Sequence, residues 1–260
     1  QGISETLNID YRTPKTLKDN HEEYEFLKEL NADLAIVCAY GQIIPENFLN
    51  LTKKGFVNIH ASILPSWRGA APIQRSIMNL DPETGISIMK IKKELDSGPV
   101  SNIYKIKIDQ NQNAQEISEK LSALAAEKIL DNVDDILEDK AKFIDQDHSK
   151  ATYAKKIDKE ESRIDWDEDA SKIIGKINGL FPSPGASFSF NGERYKILKA
   201  EIGNGIGQVG EIISNQLEVA CNKNQSIKIL EIQRQGKRPQ KISEFMLGSQ
   251  IKKGLKLSNV

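Results

Sequence analysis

Asn58, His60 and Ser62 occupy alternate positions of the stretch "GFVNIHASILP". In an extended strand these three side chains share one face, while Val57, Ile59, Ala61 and Ile63 share the other. Polar groups on a strand inside a parallel sheet are costly to desolvate unless they are paired or used. Pro65 then ends the strand, and ligands of open α/β sheets bind beyond the carboxyl ends of strands. The triplet is therefore either a catalytic patch or a hydrogen-bonded strand end without chemistry. Asn can donate an amide N–H to a developing oxyanion, and His can carry a proton at neutral pH. A second candidate is Asp96 in "KKELDSGPV", ahead of a Ser-Gly-Pro turn. It is either an Asx turn or a carboxylate that orients a histidine, and spacing alone does not bring it to His60. Ser62 and His60 are i, i+2 neighbours, which is poor geometry for a nucleophile and its base, and the chain has no G-x-S-x-G elbow.

Other motifs carry less. His21 and His148, the remaining histidines, sit in charged surroundings and are expected at the surface. "GIGQVG", Gly205 to Gly210, satisfies G-x-G-x-x-G, but the residues after it alternate like strands and offer no helix N-terminus for a phosphate. A glycine-rich loop is the expectation. The 260 residues carry a net charge of −1, which hides an asymmetry. Asp131 to Asp169 holds 14 acids and 7 bases, a net −7, and Asn222 to Val260 holds 9 bases and 2 acids, a net +7. The basic tail, with Arg234, Lys237, Arg238 and Lys241, is either a solvated face or a contact for a nucleic-acid backbone. The two cysteines, Cys38 and Cys221, are expected as buried thiols. With no C-x-x-C and no His/Cys cluster, no zinc site is expected. There is no signal peptide and no apolar run of about 18 residues. A cytoplasmic enzyme without a membrane span is the default expectation. The chain starts at Gln1, in mid-element, so a processed terminus or a fragment is expected.

The elements that must position these residues follow from periodicity. "LKDNHEEYEFLKEL" has helical apolar spacing, "DLAIVCA" and "GFVNIHA" read as strands, and "APIQRSIMNL" as a helix with Pro72 in its first turn. Two β-rich stretches, "TGISIMKIKK" and "PVSNIYKIKI", flank "ELDSG", and a long helix is predicted from about Ala114 to Leu137. Alternating strands and helices imply an α/β domain with a Rossmann-like, mostly parallel sheet over residues 1–147. Residues 148–162 are polar and aperiodic and read as a linker. Over 163–260 one helix, "ASKIIGKINGLF", precedes several short strands, with Asn191-Gly192 marking a hairpin. That pattern predicts a small OB-like β-barrel.

These residues resemble a known family. "NIHASILPSWRGAAPIQRSI" is similar to the signature of the methionyl-tRNA formyltransferases, with "AYGQIIP" upstream and "LDSGPV" downstream in matching order. "SRIDWDEDA" and "GLFPSPGASFSFNGERYKILKA" resemble the start of that family's C-terminal barrel. The resemblance implies transfer of a formyl group from 10-formyltetrahydrofolate, as co-substrate and without a metal, to the amino group of methionine on initiator tRNA. It implies catalytic roles for Asn58, His60 and Asp96, and folate contacts at Ser62, Ile63, Leu64 and Pro65, with Tyr40, Gly41 and Ile43 flanking the pterin pocket. Together with the basic tail it points to Arg68, Arg234, Lys237, Arg238 and Lys241 as tRNA contacts, in a protein expected to be a monomer. Family members carry a strand–helix–strand region and a basic loop ahead of the position of Gln1. The α/β half is thus expected to be N-terminally incomplete, and its activity alone to be weak. Two other functions stay open: a formyltransferase acting on glycinamide ribonucleotide or an amino sugar, and a non-catalytic tRNA-binding protein. The barrel and the basic tail weigh against the first, and the intact Asn58/His60/Asp96 set against the second.

Overall fold

The computed structural model describes residues 2–258. Its elements are, in order, α1 (Gly2–Thr6), α2 (His21–Glu29), β1 (Ala35–Cys38), α3 (Glu46–Leu49), β2 (Phe56–His60), β3 (Arg68–Gly69), α4 (Pro72–Met78), β4 (Glu83–Lys90), β5 (Val100–Lys107) and α5 (Ala114–Leu137). There follow β6 (Tyr153–Ala154), α6 (Ala170–Leu180), β7 (Ser187–Phe190), β8 (Glu193–Ile202), β9 (Glu218–Cys221), β10 (Gln225–Arg234), β11 (Gln240–Lys241) and α7 (Ile242–Gly248). The α/β class expected from the sequence is present. Four strands form a sheet in the order β1-β2-β4-β5. β1 and β2 are parallel, and β4 runs antiparallel to β2, so the sheet is mixed.

The chain divides into two compact units. The first comprises Gln1–His60, Ser87–Asn102 and Ile129–Gln146. Its core forms where apolar residues of β2 (Phe56, Val57, Ile59) and β4 (Ile88, Met89) are buried with Leu17, Phe48 and Ile136. Tyr24 meets Phe48 edge-on at 5.5 Å, fixing α2 against α3. Asn20 caps α2 by accepting from the Glu23 amide. β1 pairs only with β2 among the described residues. Alternate residues of β1 therefore lie open, with Ile36 at 47% exposure. This corrects the expectation for Cys38, which is exposed, whereas Cys221 is buried. Burial pushes the Cys221 thiol up to about 11.

The second unit comprises Ala61–Ile86, Ile103–Lys128 and Asp147–Val260. It contains an antiparallel sheet in the order β11-β10-β8-β7, with β9 also on β10, and this path does not close among the described residues. Asn191 (φ 50°) and Gly192 (φ 77°) make the β7–β8 turn, as the Asn-Gly pair predicts. α6 covers the sheet through Ile173, Ile177 and Leu180, all fully buried, together with Trp166, Phe188 and Ile197. Its opposite face packs on α4. A Cβ added at Gly179 would lie 3.0 Å from the Gln74 carbonyl oxygen, and one at Gly175 would lie 3.2 Å from that of Ile77. Two glycines four residues apart thus let the helix backbones approach closely. The stretch 148–162 holds a short 3₁₀ turn at each end, with β6 between them pairing in parallel with β3.

Candidate active site and tRNA surface

In the first unit Asn58 is the middle residue of β2 and His60 its last, opposite Met89 and Ser87 of β4. Asn58 is half-buried, and the His60 side chain is 6% exposed. Asp96 comes from the loop between β4 and β5, in the left-handed region at φ 45°. Its Oδ2 stands 3.7 Å from His60 Nδ1, an ion-pair distance, with the carboxylate side chain 17% exposed. The fold therefore brings together two residues that lie 36 apart in sequence. Two features shape the loop. A Cβ at Gly98 would fall 1.9 Å from the Lys90 carbonyl oxygen, so only glycine fits there. Gln146, 8% exposed, donates through Nε2 to the carbonyls of Asp96 (2.9 Å) and Gly98 (2.7 Å). No sequence signal pointed to Gln146, because its partners lie 50 and 48 residues away.

Chemically, a proton on Nδ1 facing Asp96 leaves Nε2 as the acceptor nitrogen of a neutral His60. The Asp96 carboxylate attracts the imidazolium formed when His60 takes up a second proton. An Asn amide two residues earlier on the same strand face supplies an N–H donor for an oxyanion. These three groups suit attack of an amine on an acyl carbon. Tyr40, Gly41 and Ile43 lie in the exposed loop after β1. In the parallel register, Cys38 opposes Ile59, so this loop leaves the sheet at the same end as His60.

The second unit holds the segment that follows. Ser62 is fully buried, and its hydroxyl donates to the Ser66 carbonyl at 2.6 Å, closing the loop. Leu64 is buried, Ile63 and Pro65 are half-buried, and the Leu64–Pro65 peptide is cis. Arg68 is only 3% exposed, with its Nη2 3.1 Å from His148 Nδ1. In this conformation its charge meets protein rather than solvent.

Arg234 ends β10, Lys237 and Arg238 stand in the turn after it, and Lys241 ends β11. The first three line a cleft of about 700 Å³ with Phe190, Tyr195 and Phe245. Arg234 pairs with Glu193, whose carboxyl is held below its usual range by Arg234 and by the Tyr195 hydroxyl. Lys237, Arg238 and Lys241 are exposed. In the Gly205–Gly210 loop, the Gly205 amide donates to Glu218 Oε1 at 2.8 Å and to Ser226 Oγ at 3.1 Å. Burial alone would raise the Glu218 carboxyl, but hydrogen bonds from Ser226, Gly205 and Asn204 outweigh it and hold the group low. The loop thus receives a carboxylate of its own chain.

The chain matches both profiles of the formyl transferases, one over its N-terminal half and one over its C-terminal part, which sets the class of protein. A family profile described as "Formyl transferase" matches residues 4–133, and one described as "Formyl transferase, C-terminal domain" matches residues 156–250. The methionyl-tRNA formyltransferase of Pelagibacter ubique (strain HTCC1062) is 65% identical over 260 residues, covering 100% of this chain and 84% of that protein. The methionyl-tRNA formyltransferase of Dictyoglomus turgidum is 41% identical over 255 residues, covering 95% of this chain and 81% of that protein. The chain belongs to the methionyl-tRNA formyltransferase family. Among solved structures, an N-formyltransferase from Helicobacter canadensis superposes with a TM-score of 0.69 at 18% identity, covering 90% of this chain and 81% of that one, a likeness of fold. Among the described residues, no helix is long and apolar enough to cross a membrane, and no group of three His, Cys, Asp or Glu could hold a metal ion.

Proposed function

We propose that the protein transfers the formyl group of 10-formyltetrahydrofolate to the α-amino group of methionine on initiator methionyl-tRNA. The observation that carries the chemistry is the Asp96 carboxylate 3.7 Å from His60 Nδ1, with Asn58 two residues before His60 on its strand. The acceptor follows from the 65% identity to a methionyl-tRNA formyltransferase. Folate as donor accords with relatives of the same fold solved with tetrahydrofolic acid and with folinic acid.

In this reading the amine attacks the formyl carbon, forming a C–N bond and a tetrahedral species. Asn58 donates to its oxyanion, and His60 takes the proton lost by the amine. Asp96 stabilises the resulting imidazolium, and His60 returns the proton to N10 as the bond from N10 to the formyl carbon breaks. Ser62, Ile63, Leu64 and Pro65 form the folate-contacting loop, where Ser62 serves by shaping the backbone, and Tyr40, Gly41 and Ile43 border the pterin. Lys237, Arg238, Lys241 and Arg234 contact the tRNA backbone, and Arg68 shapes the loop behind the folate. We assign residues 1–147 to the catalytic domain, 148–162 to the connection and 163–260 to the tRNA-binding module, in a monomer working in the cytoplasm. A formylation assay offering methionyl-tRNA, glycinamide ribonucleotide and a nucleotide-linked amino sugar in turn tests the acceptor. Product with methionyl-tRNA alone is expected, and transfer to a small acceptor at equal rate overturns the assignment.

A further inference from the structure

The connecting residues 148–162 do more than connect: from Thr152 to Glu161 they form a strap along the loop that begins at Ser62 and the helix after it. Thr152 donates its amide to the Pro65 carbonyl (3.3 Å) and accepts from Trp67 N on its hydroxyl (2.9 Å) and from Arg68 N on its carbonyl (2.9 Å). The Ala154 carbonyl accepts from the amides of Ala70 (2.9 Å) and Ala71 (3.2 Å). Every one of these contacts falls on the loop that begins at Ser62. Two further features show how tightly the strap sets that loop. Trp67 sits at φ 62°, where a bulky residue persists only if its surroundings over-determine it. Its amide is held by Thr152 and its indole N–H by Asp81, at 2.7 Å. Gly69, at φ 119°, lies so close to the strap that a Cβ would meet the Ala154 carbonyl oxygen at 2.7 Å.

Arg75 closes the ring. It lies on α4, the helix into which the loop runs. Its Nη1 and Nη2 form a fork on the Glu161 carboxylate, with Nη2 at 2.9 Å from Oε1. The same guanidinium donates to the carbonyl of Lys155 from Nε (3.2 Å) and Nη2 (3.1 Å), and to that of Lys156 from Nη2 (3.4 Å). One side chain thus ties the helix after the loop to the strap that lies along the loop. A lysine keeps the charge but cannot reproduce the fork.

We propose that Arg75 is a positioning residue for folate: through the strap it holds the Ser62–Pro65 loop in its binding conformation and so sets donor affinity. This rests on the folate assignment of that loop made above. If Arg75→Lys leaves the loop competent about a tenth of the time, apparent donor affinity falls about tenfold.

The test is calorimetric titration of the full chain with 5-formyltetrahydrofolate, alongside steady-state formylation and hydrogen exchange of amides 152–156. For Arg75→Lys we expect about tenfold weaker binding, a matching rise in donor KM, faster exchange in the strap, and kcat and methionyl-tRNA KM within about twofold of wild type. Gly69→Ala strikes the same contact from the loop side with Arg75 intact, and should give the same loss. It decides the matter if Arg75→Lys does not fold. A folded variant with a loosened strap and unchanged donor affinity overturns the proposal, as does a rise in the tRNA KM alone. A wild type that binds the folate but does not formylate methionyl-tRNA refutes the acceptor, and the variants still judge Arg75. A wild type that binds no folate removes the basis of both.

Discussion

In the proposed mechanism Asn58 and His60 serve the same step from one strand face, so the loss of either should slow that step. Asn58→Ala removes one donor to the oxyanion and should lower kcat by about 10²–10³, with little change in either KM. His60→Ala removes the group that carries the amine proton, a loss of about 10²–10⁴ in rate. In both variants, tRNA affinity measured by filter binding should stay within about twofold of wild type, because neither residue is assigned to the tRNA. Single-turnover formylation with saturating donor reads the chemical step directly. If His60→Ala weakens tRNA binding as much as it weakens transfer, the role given to His60 is wrong. In the proposed mechanism the Asp96 carboxylate acts through His60, and Gln146 supports Asp96 by holding the carbonyls on either side of Ser97. The loop that carries Asp96 is thus held by a buried amide that contributes no charge and lies outside every motif.

Among the elements, the strap offers a pH test that is independent of catalysis. Arg75, by its hydrogen bonds, holds the Glu161 carboxyl below the usual carboxylate range. A carboxylate with a depressed folded pKa contributes stability that is present above its unfolded pKa and is lost as pH falls through the folded one. The melting temperature of wild type should therefore exceed that of Glu161→Gln at pH 6–8, and the gap should shrink below about pH 4. A gap that is constant down to acid pH would mean that the carboxylate's charge contributes nothing. The same element marks where sequence reasoning stopped. Helix α5 spans Ala114–Leu137, the range its periodicity predicts, because its apolar stripe is local. The Asn191-Gly192 hairpin was legible for the same reason. The strap was not: its partners lie 80 to 87 residues away and are hydrogen-bonded groups, which leave no apolar period. Cys38 was misplaced because an apolar run indicates a strand but not whether both of its faces are covered. The Asn58-His60 pair was visible as an alternation, whereas the arrival of Asp96 depended on a turn whose direction no local pattern encodes.

For the whole molecule, the net charge of −1 is a poor guide to partners, because the charge is segregated along the chain. The −7 of Asp131 to Asp169 repels a phosphate backbone, and the +7 of Asn222 to Val260 attracts one. Within the basic segment, Arg234 is already matched by Glu193, which leaves Lys237 and Arg238 beside the same cleft as the cations best placed to displace counterions. Each phosphate neutralised adds nearly one unit to the slope of log affinity against log salt. The double variant Lys237→Ala/Arg238→Ala should therefore weaken tRNA binding at low salt and flatten that slope by about 1.5–2. Affinity for 5-formyltetrahydrofolate should not change, because that site is assigned to other residues. Filter binding between about 50 and 200 mM salt, where counterion release dominates, measures the slope. If the slope does not move, the tRNA backbone is held elsewhere and the positive segment is a solvated face. If the slope falls and donor affinity is kept, the β-module carries the acceptor independently of the groups that bind the donor and transfer the formyl group.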